Sequence, residues 1–140
     1  MAKKKIPRAG FIPYYIEDDT VHVMLMKPSD TKYGGDRFQL AKGKVDDGEK
    51  SEEAATREAH EELGLKASNL KSKTYLGRFL GYTDVYYGEI IDKDDFDETT
   101  YETAETKWMP IEEFLKVGRS IHIPIFRAFH RDLIRAGIVQ

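Results

Sequence analysis

Apolar and polar positions divide the chain into short elements. Ala9 to Ile16 is almost wholly apolar and predicts a strand. Glu17-Asp18-Asp19-Thr20 is polar and predicts a turn, after which Val21 to Met26 resumes an apolar, β-branched run. The two runs therefore predict a hairpin. Pro28 to Asp36, with Gly34-Gly35 inside it, reads as a loop. Phe38 to Ala41 is a short extended stretch that leads into Lys42-Gly43-Lys44. Ser51 has the chemistry of an N-cap, with Glu52 and Glu53 behind it where a helix favours negative charge. Gly64 stands where a left-handed residue would end that helix.

The second half continues in the same way. Thr74 to Leu80 and Val85 to Ile91 predict strands around Gly81-Tyr82-Thr83-Asp84. Asp92 to Glu98 is an acidic loop. Thr106 to Met109 predicts a short strand stopped by Pro110, and Ile111 to Val117 a short helix. Ser120 is the expected cap of a last helix running to Ala136 and stopping at Gly137. Ile125, Phe126, Phe129, Leu133 and Ile134 recur there at helical spacing and predict core packing. Tyr86 and Tyr87 fall on opposite faces of a strand, so one is expected inside and one outside. The early hairpin and the mixing of strands with helices favour an α+β, αβα sandwich: one mixed β-sheet flanked by helices on both faces. No repeat or linker divides residues 1–140, so one domain is expected.

Composition narrows the function classes. Apolar residues make up 40% and charged residues 34%, a globular balance rather than a disordered one. The net charge of −3 implies no bulk attraction to nucleic acid or membrane. The chain has no cysteine, so disulfides, thiolate catalysis and Cys-ligated zinc are excluded. No apolar run approaches the ~18 residues of a membrane span. The run Lys3-Lys4-Lys5 is followed by Pro7, Arg8 and Gly10, which interrupt any signal-type apolar segment, and it reads as a solvated terminus. A cytoplasmic protein is expected.

Gly43 to Leu65 carries the chemistry. On a helix Glu58, Glu61 and Glu62 fall within about 100° of arc, beside the small apolar stripe of Ala55, Ala59 and Leu63. Like charges spaced this way destabilise a helix. Hard divalent cations, in contrast, want clustered oxygen ligands. A solvated acidic face is the plainer alternative, and the preceding loop weighs against it. Gly43 allows a tight turn and leaves its carbonyl accessible, and Lys42 and Lys44 flank it with charge suited to phosphate.

The spacing Gly43-x5-Glu49-x7-Arg57-Glu58-Ala59-x-Glu61-Glu62-x-Gly64-Leu65 resembles the Nudix box at every specified position. Beyond it, Ala9-Gly10-Phe11-Ile12-Pro13 is similar to the family's opening strand. Lys107-Trp108-Met109-Pro110-Ile111-Glu112-Glu113-Phe114 is similar to its closing strand and helix. One departure is Ala41, where relatives with a similar loop often carry Pro before the Lys-Gly pair. The resemblance implies a hydrolase that cleaves a phosphoanhydride in a nucleoside diphosphate derivative. It implies Mg²⁺, with Mn²⁺ as the alternative, held by Glu58, Glu61, Glu62 and the Gly43 carbonyl. Arg57, pairing with Glu61 four residues on or reaching back to Glu49, then holds the carboxylates in place together with Glu49. The general base in such proteins is a box glutamate or one from a later loop, for which Glu102 and Glu105 are the candidates.

The substrate is less legible. Dinucleoside polyphosphate hydrolases of the family often have a Tyr shortly after the box, and Tyr82 falls 17 residues past Leu65. That spacing favours a dinucleoside polyphosphate. Arg37, Lys42 and Lys44 are candidates for its outer phosphates. Alternatives are a nucleoside triphosphate, ADP-ribose or a nucleotide sugar. ADP-ribose-cleaving relatives carry Pro near this place, where the chain has Leu80 and Gly81. The array typical of NADH- or coenzyme-A-cleaving relatives is absent. His22, His60, His122 and His130 show no ligand spacing, and His60 is expected in solvent. Two other classes remain. A non-catalytic nucleotide-binding module is disfavoured by the intact carboxylate set. An RNA-end hydrolase would need a basic groove, where Asp92 to Glu98 is acidic.

Overall fold

The computed structural model describes residues 6–140, so the Lys3-Lys4-Lys5 run lies outside the described residues. The predicted hairpin is formed by β1 (Arg8–Glu17) and β2 (Thr20–Pro28), paired antiparallel. Its two-residue turn, Asp18-Asp19, has both residues at positive φ (52° and 59°). Short acidic side chains tolerate that conformation, and the turn's twist matches that of the strands. Five more elements follow: β3 (Ala41–Lys44), α1 (Ser51–Leu63), β4 (Thr74–Phe79), β5 (Thr83–Glu89) and β6 (Thr103–Pro110). The chain ends with α2 (Ile111–Val117) and α3 (Ile123–Arg135).

The sheet runs β4-β5-β1-β2-β6 and is mixed, because β1 and β5 are parallel while the other pairs are antiparallel. β5 occupies one edge of β1 from Arg8 to Tyr14. The other edge is shared: β3 pairs with Arg8 to Phe11, and β2 with Tyr14 to Glu17. β2 and β3 therefore part from a common neighbour, and only a bridge between Met26 and Gln39 links them again. This divergence opens a wedge in the sheet.

Alternation along the strands makes two cores. One face carries Ile12, Val23, Leu25 and Met109 and is covered by Phe114 of α2 and Phe126, Phe129 and Leu133 of α3. The opposite face carries Phe11, Met24 and Met26 and is covered by Ala54, Ala55, Ala59 and Leu63 of α1. The result is the expected αβα sandwich. Tyr87 is buried in the first core, whereas Tyr86, on the opposite face, is half-buried against the α1 core instead of lying outside, because that face is covered too.

Several boundaries differ from the sequence reading. Ser51 is the first helical residue of α1 rather than its cap, because its hydroxyl is shared with Tyr86 Oη at 2.7 Å. Lys50 takes the cap position, and its N–H donates to the Glu53 carboxylate. Ser120 opens a 3₁₀ turn, Ser120–His122, and α3 begins only at Ile123. Pro124 sits in the first turn of α3, where a missing N–H costs no helical bond. Ile134 is 45% exposed, off the buried stripe, while Val139 beyond the helix is buried. β6 starts at Thr103, three residues before the predicted strand. Lys42, Gly43 and Lys44 belong to strand β3 rather than to a loop.

The Ser120–His122 turn secures the segment before β3. Arg119 N–H donates to the Phe38 carbonyl (2.9 Å), and Leu40 N–H donates to His122 Nδ1 (3.1 Å). His122 is fully buried, and burial lowers its pKa to about 3, so it serves as a neutral acceptor.

On the other face, three alanines with no exposed surface let α1 approach the sheet closely. Ala59→Leu should therefore destabilise the fold by roughly 1–3 kcal/mol through overpacking. Denaturant unfolding measures this, and unchanged stability would contradict the close approach.

Candidate active site

The site begins with the contact between β3 and α1. Gly43 lies in extended backbone, so no turn requires a glycine there. A Cβ at Gly43 would instead fall on the Glu58 carboxyl group. Only glycine lets this carboxylate lie against the strand.

Arg57 binds the carboxylates together. Its Nε donates to Glu49 Oε2 (2.9 Å) and its Nη2 to Glu49 Oε1 (3.0 Å), a two-pronged grip. Nη1 donates to Glu58 Oε1 (2.8 Å) and reaches Glu61 Oε1 at 3.4 Å. Nη2 also donates to the Lys44 carbonyl (2.9 Å), which ties the cluster to β3. The sequence reading offered Glu61 or Glu49 as partners; the arginine reaches both, and Glu58 besides. Its hydrogen bonds hold the Glu49 carboxyl below the usual carboxylate range.

Glu62 is buried and Glu58 largely so, side by side on the inner face of α1. Burial raises both pKa values, and the neighbouring Glu58 charge adds to this at Glu62, which is pushed up to about 9. Lys42 N–H donates to Glu62 Oε1 (3.3 Å). At neutral pH the two carboxyls share a proton. Glu61 is more open, with 41% of its side chain exposed. Among the described residues no three acidic or imidazole side chains are gathered tightly enough to enclose a metal ion. The donor set is nevertheless of the right kind: hard carboxylate oxygens beside the backbone of β3, with a proton on the buried pair that a divalent cation would replace.

These groups form one wall of a cavity of about 610 Å³ in the wedge between β2 and β3. Gly43, Glu58 and Glu62 line that wall. Arg8, Lys42, Lys44 and Arg119 also line the cavity and give it a cationic side. Burial and the charges of Arg8 and Arg119 lower the Lys42 pKa, against the opposing pull of Glu62 and Glu58. An anion between these cations would relieve their repulsion. Ser29, Tyr101 and Glu102 line the cavity as well.

The structure sorts the remaining candidates. Glu102 lines the cavity; Glu105 is exposed within β6 opposite Lys27 of β2 and does not line it. Arg37 is exposed, with Nη1 3.5 Å from the Val117 carbonyl, and is not brought to the cavity. Tyr82 is half-buried in the β4–β5 turn, outside the lining, and its carbonyl accepts the Arg8 N–H (3.1 Å). His60 is exposed, as expected, 3.2 Å from Asp97. Sequence reasoning missed Arg8, Arg119 and Tyr101. Arg8 opens β1, one residue before the predicted strand, and figured in the sequence only as a break in a signal-type segment, and Arg119 and Tyr101 lie in segments without periodicity.

No curated protein sequence matches the chain. Solved structures share its fold. An Ap4A hydrolase binary complex from C. elegans is 22% identical, covers 91% of this chain and 98% of its own, and has a TM-score of 0.72. A mutT/nudix family protein from Listeria innocua is 17% identical, covers 98% of this chain and 99% of its own, with a TM-score of 0.74. The NUDIX domain of Shewanella oneidensis NrtR, complexed with ADP ribose, is 13% identical and covers 94% of this chain and 90% of its own, at a TM-score of 0.71. The family model for the NUDIX domain matches residues 6–129, which include both strands of the wedge, the whole of α1 and both glutamates of the cavity wall, Glu58 and Glu62. The chain therefore belongs to the NUDIX family, as a pyrophosphohydrolase.

Proposed function

We propose that the chain hydrolyses a phosphoanhydride bond of a dinucleoside polyphosphate, with Mg²⁺ held by Glu58, Glu61, Glu62 and the Gly43 carbonyl. One observation carries this reading: a carboxylate wall and a set of four cations line the same cavity. The volume of about 610 Å³ suits a nucleotide rather than a single phosphate. A long phosphate bridge spans both regions, with the scissile anhydride against the glutamates and the outer phosphates on Arg8, Lys42, Lys44 and Arg119. A bound divalent cation would offset the phosphate charge and favour ionisation of an attacking water. Arg57 and Glu49 keep the glutamates in position, and Glu102, which lines the same cavity, takes the proton of that water at its carboxylate. The likeness to an Ap4A hydrolase structure supports the same substrate class.

The decisive measurement is turnover with Mg²⁺ over dinucleoside polyphosphates, nucleoside triphosphates, ADP-ribose, nucleotide sugars and capped RNA. A dinucleoside polyphosphate should give the highest kcat/KM. A clear preference for ADP-ribose or one nucleoside triphosphate would reject it.

Glu61→Gln and Glu62→Gln should each lower kcat by orders of magnitude while the fold survives. Near wild-type turnover in both would remove the ligand assignment. Glu62→Gln also has a signature without metal. Because the folded state raises the Glu62 pKa from 4.5 to about 9, its protonated form is favoured by folding. That stabilisation is complete below about pH 4.5 and disappears as the pH rises through about 9. Metal-free wild type should therefore lose stability toward alkaline pH, and Glu62→Gln should lose less.

Glu102→Gln should lower kcat and alter the acidic limb of its pH profile, whereas Glu105→Gln should match wild type. If Glu102→Gln leaves kcat unchanged at every pH, a glutamate of α1 takes the proton instead.

A further inference from the structure

Thr103 N–H donates to the Thr100 carbonyl (3.1 Å), closing a tight turn with Tyr101 and Glu102 at its centre. The turn is fastened to α1 and to the segment after β2. Thr100 N–H donates to the Glu61 carbonyl (2.9 Å), and Thr103 Oγ1 donates to the Glu62 carbonyl (2.9 Å). From the other side Ser29 N–H donates to the Glu102 carbonyl and Ser29 Oγ to the Tyr101 carbonyl, both at 2.8 Å. The backbone of Tyr101 is therefore fixed relative to the carboxylate wall.

Its side chain is nevertheless 88% exposed, more than any other large apolar side chain in the described residues. Among those residues its ring meets no other aromatic ring and its hydroxyl has no hydrogen-bond partner. Folding gains almost nothing from this ring, yet four hydrogen bonds hold its turn in place. Tyr101 also lines the same cavity as Glu58, Glu62 and the cations. A nucleotide whose phosphates lie along those groups has a flat heteroaromatic end that must leave the cavity at its rim. A rigidly held, unoccupied aromatic face there suits that end, since stacking accepts any base.

We infer that Tyr101 is the platform on which a nucleobase of the substrate stacks, which makes it a residue of substrate affinity and not of bond cleavage. The inference rests on the nucleotide reading of the cavity. It moves the base contact from Tyr82, in the β4–β5 turn, to the turn that also presents Glu102.

The test uses the full chain with Mg²⁺ and two probes: a methylene-bridged, uncleavable dinucleoside tetraphosphate and inorganic tetraphosphate. Calorimetry should show Tyr101→Ala weakening the nucleoside probe roughly tenfold while leaving inorganic tetraphosphate unchanged. Tyr101→Phe should retain wild-type affinity, and Tyr82→Ala should lose little. In turnover, Tyr101→Ala should raise KM with little change in kcat. The platform is overturned if Tyr101→Ala binds the nucleoside probe like wild type, if it weakens both probes equally, or if the loss appears in Tyr82→Ala instead. Wild type that fails to prefer the nucleoside probe over inorganic tetraphosphate would overturn the nucleotide reading as well.

Discussion

The site depends on one guanidinium. Three glutamates on neighbouring turns of a helix repel each other, and two of them are largely withdrawn from solvent, where an ionised carboxylate is costly. Arg57 offsets that cost from within the same helix. It binds Glu49, Glu58 and Glu61 and also holds the Lys44 carbonyl. The bond to Lys44 joins electrostatics to architecture, because it links the acidic face of α1 to β3. Gly43 completes the link by leaving room for Glu58. Without the arginine, repulsion would push the carboxylates toward solvent and away from the strand.

The second anchor is the end of α1. The last carbonyls of a helix lack partners inside it. Gly64 N–H takes that of His60 and Leu65 N–H that of Ala59, and Thr100 and Thr103 take those of Glu61 and Glu62. Completing the hydrogen bonds of the helix thus places the turn that carries Tyr101 and Glu102. Gly64 contributes twice, since its φ of +77° ends the helix and a Cβ there would strike the Asp97 carbonyl.

Much of this was legible in the sequence, for identifiable reasons. The hairpin followed from alternating runs around Asp18-Asp19, and α1 from the spacing of its glutamates and alanines. Arg57 and its partners were legible because helical spacing is local and fixed. What depends on chain crossings was not. Arg8 and Arg119 reach the cavity from opposite ends of the chain, and no period connects them. Gly43 was expected at a turn, yet its reason is a contact with a residue fifteen positions later, which spacing alone does not reveal. Glu102 and Glu105 read alike in sequence. The alternation of β6 and the turn before it separate them, with Glu105 on the strand beside Lys27 and Glu102 at the cavity. Ser51 and Ser120 have cap chemistry but are not caps, because Tyr86 engages the first and a 3₁₀ turn absorbs the second.

The wedge between β2 and β3 has a consequence for how such a protein diversifies. The opening arises because two strands share one edge of β1, so its width is written in backbone pairing and not in side-chain size. Side chains on the rim can then be exchanged without the fold having to re-register. Ser29, Asp30, Tyr101 and Arg119 all lie on loops or turns around that opening. Mutation can revise what the cavity recognises at these positions while the paired strands and the α1 carboxylates stay constant. In this architecture the carboxylate cluster is fixed as a unit by Arg57 and β3, while the chemistry of the border can change around it.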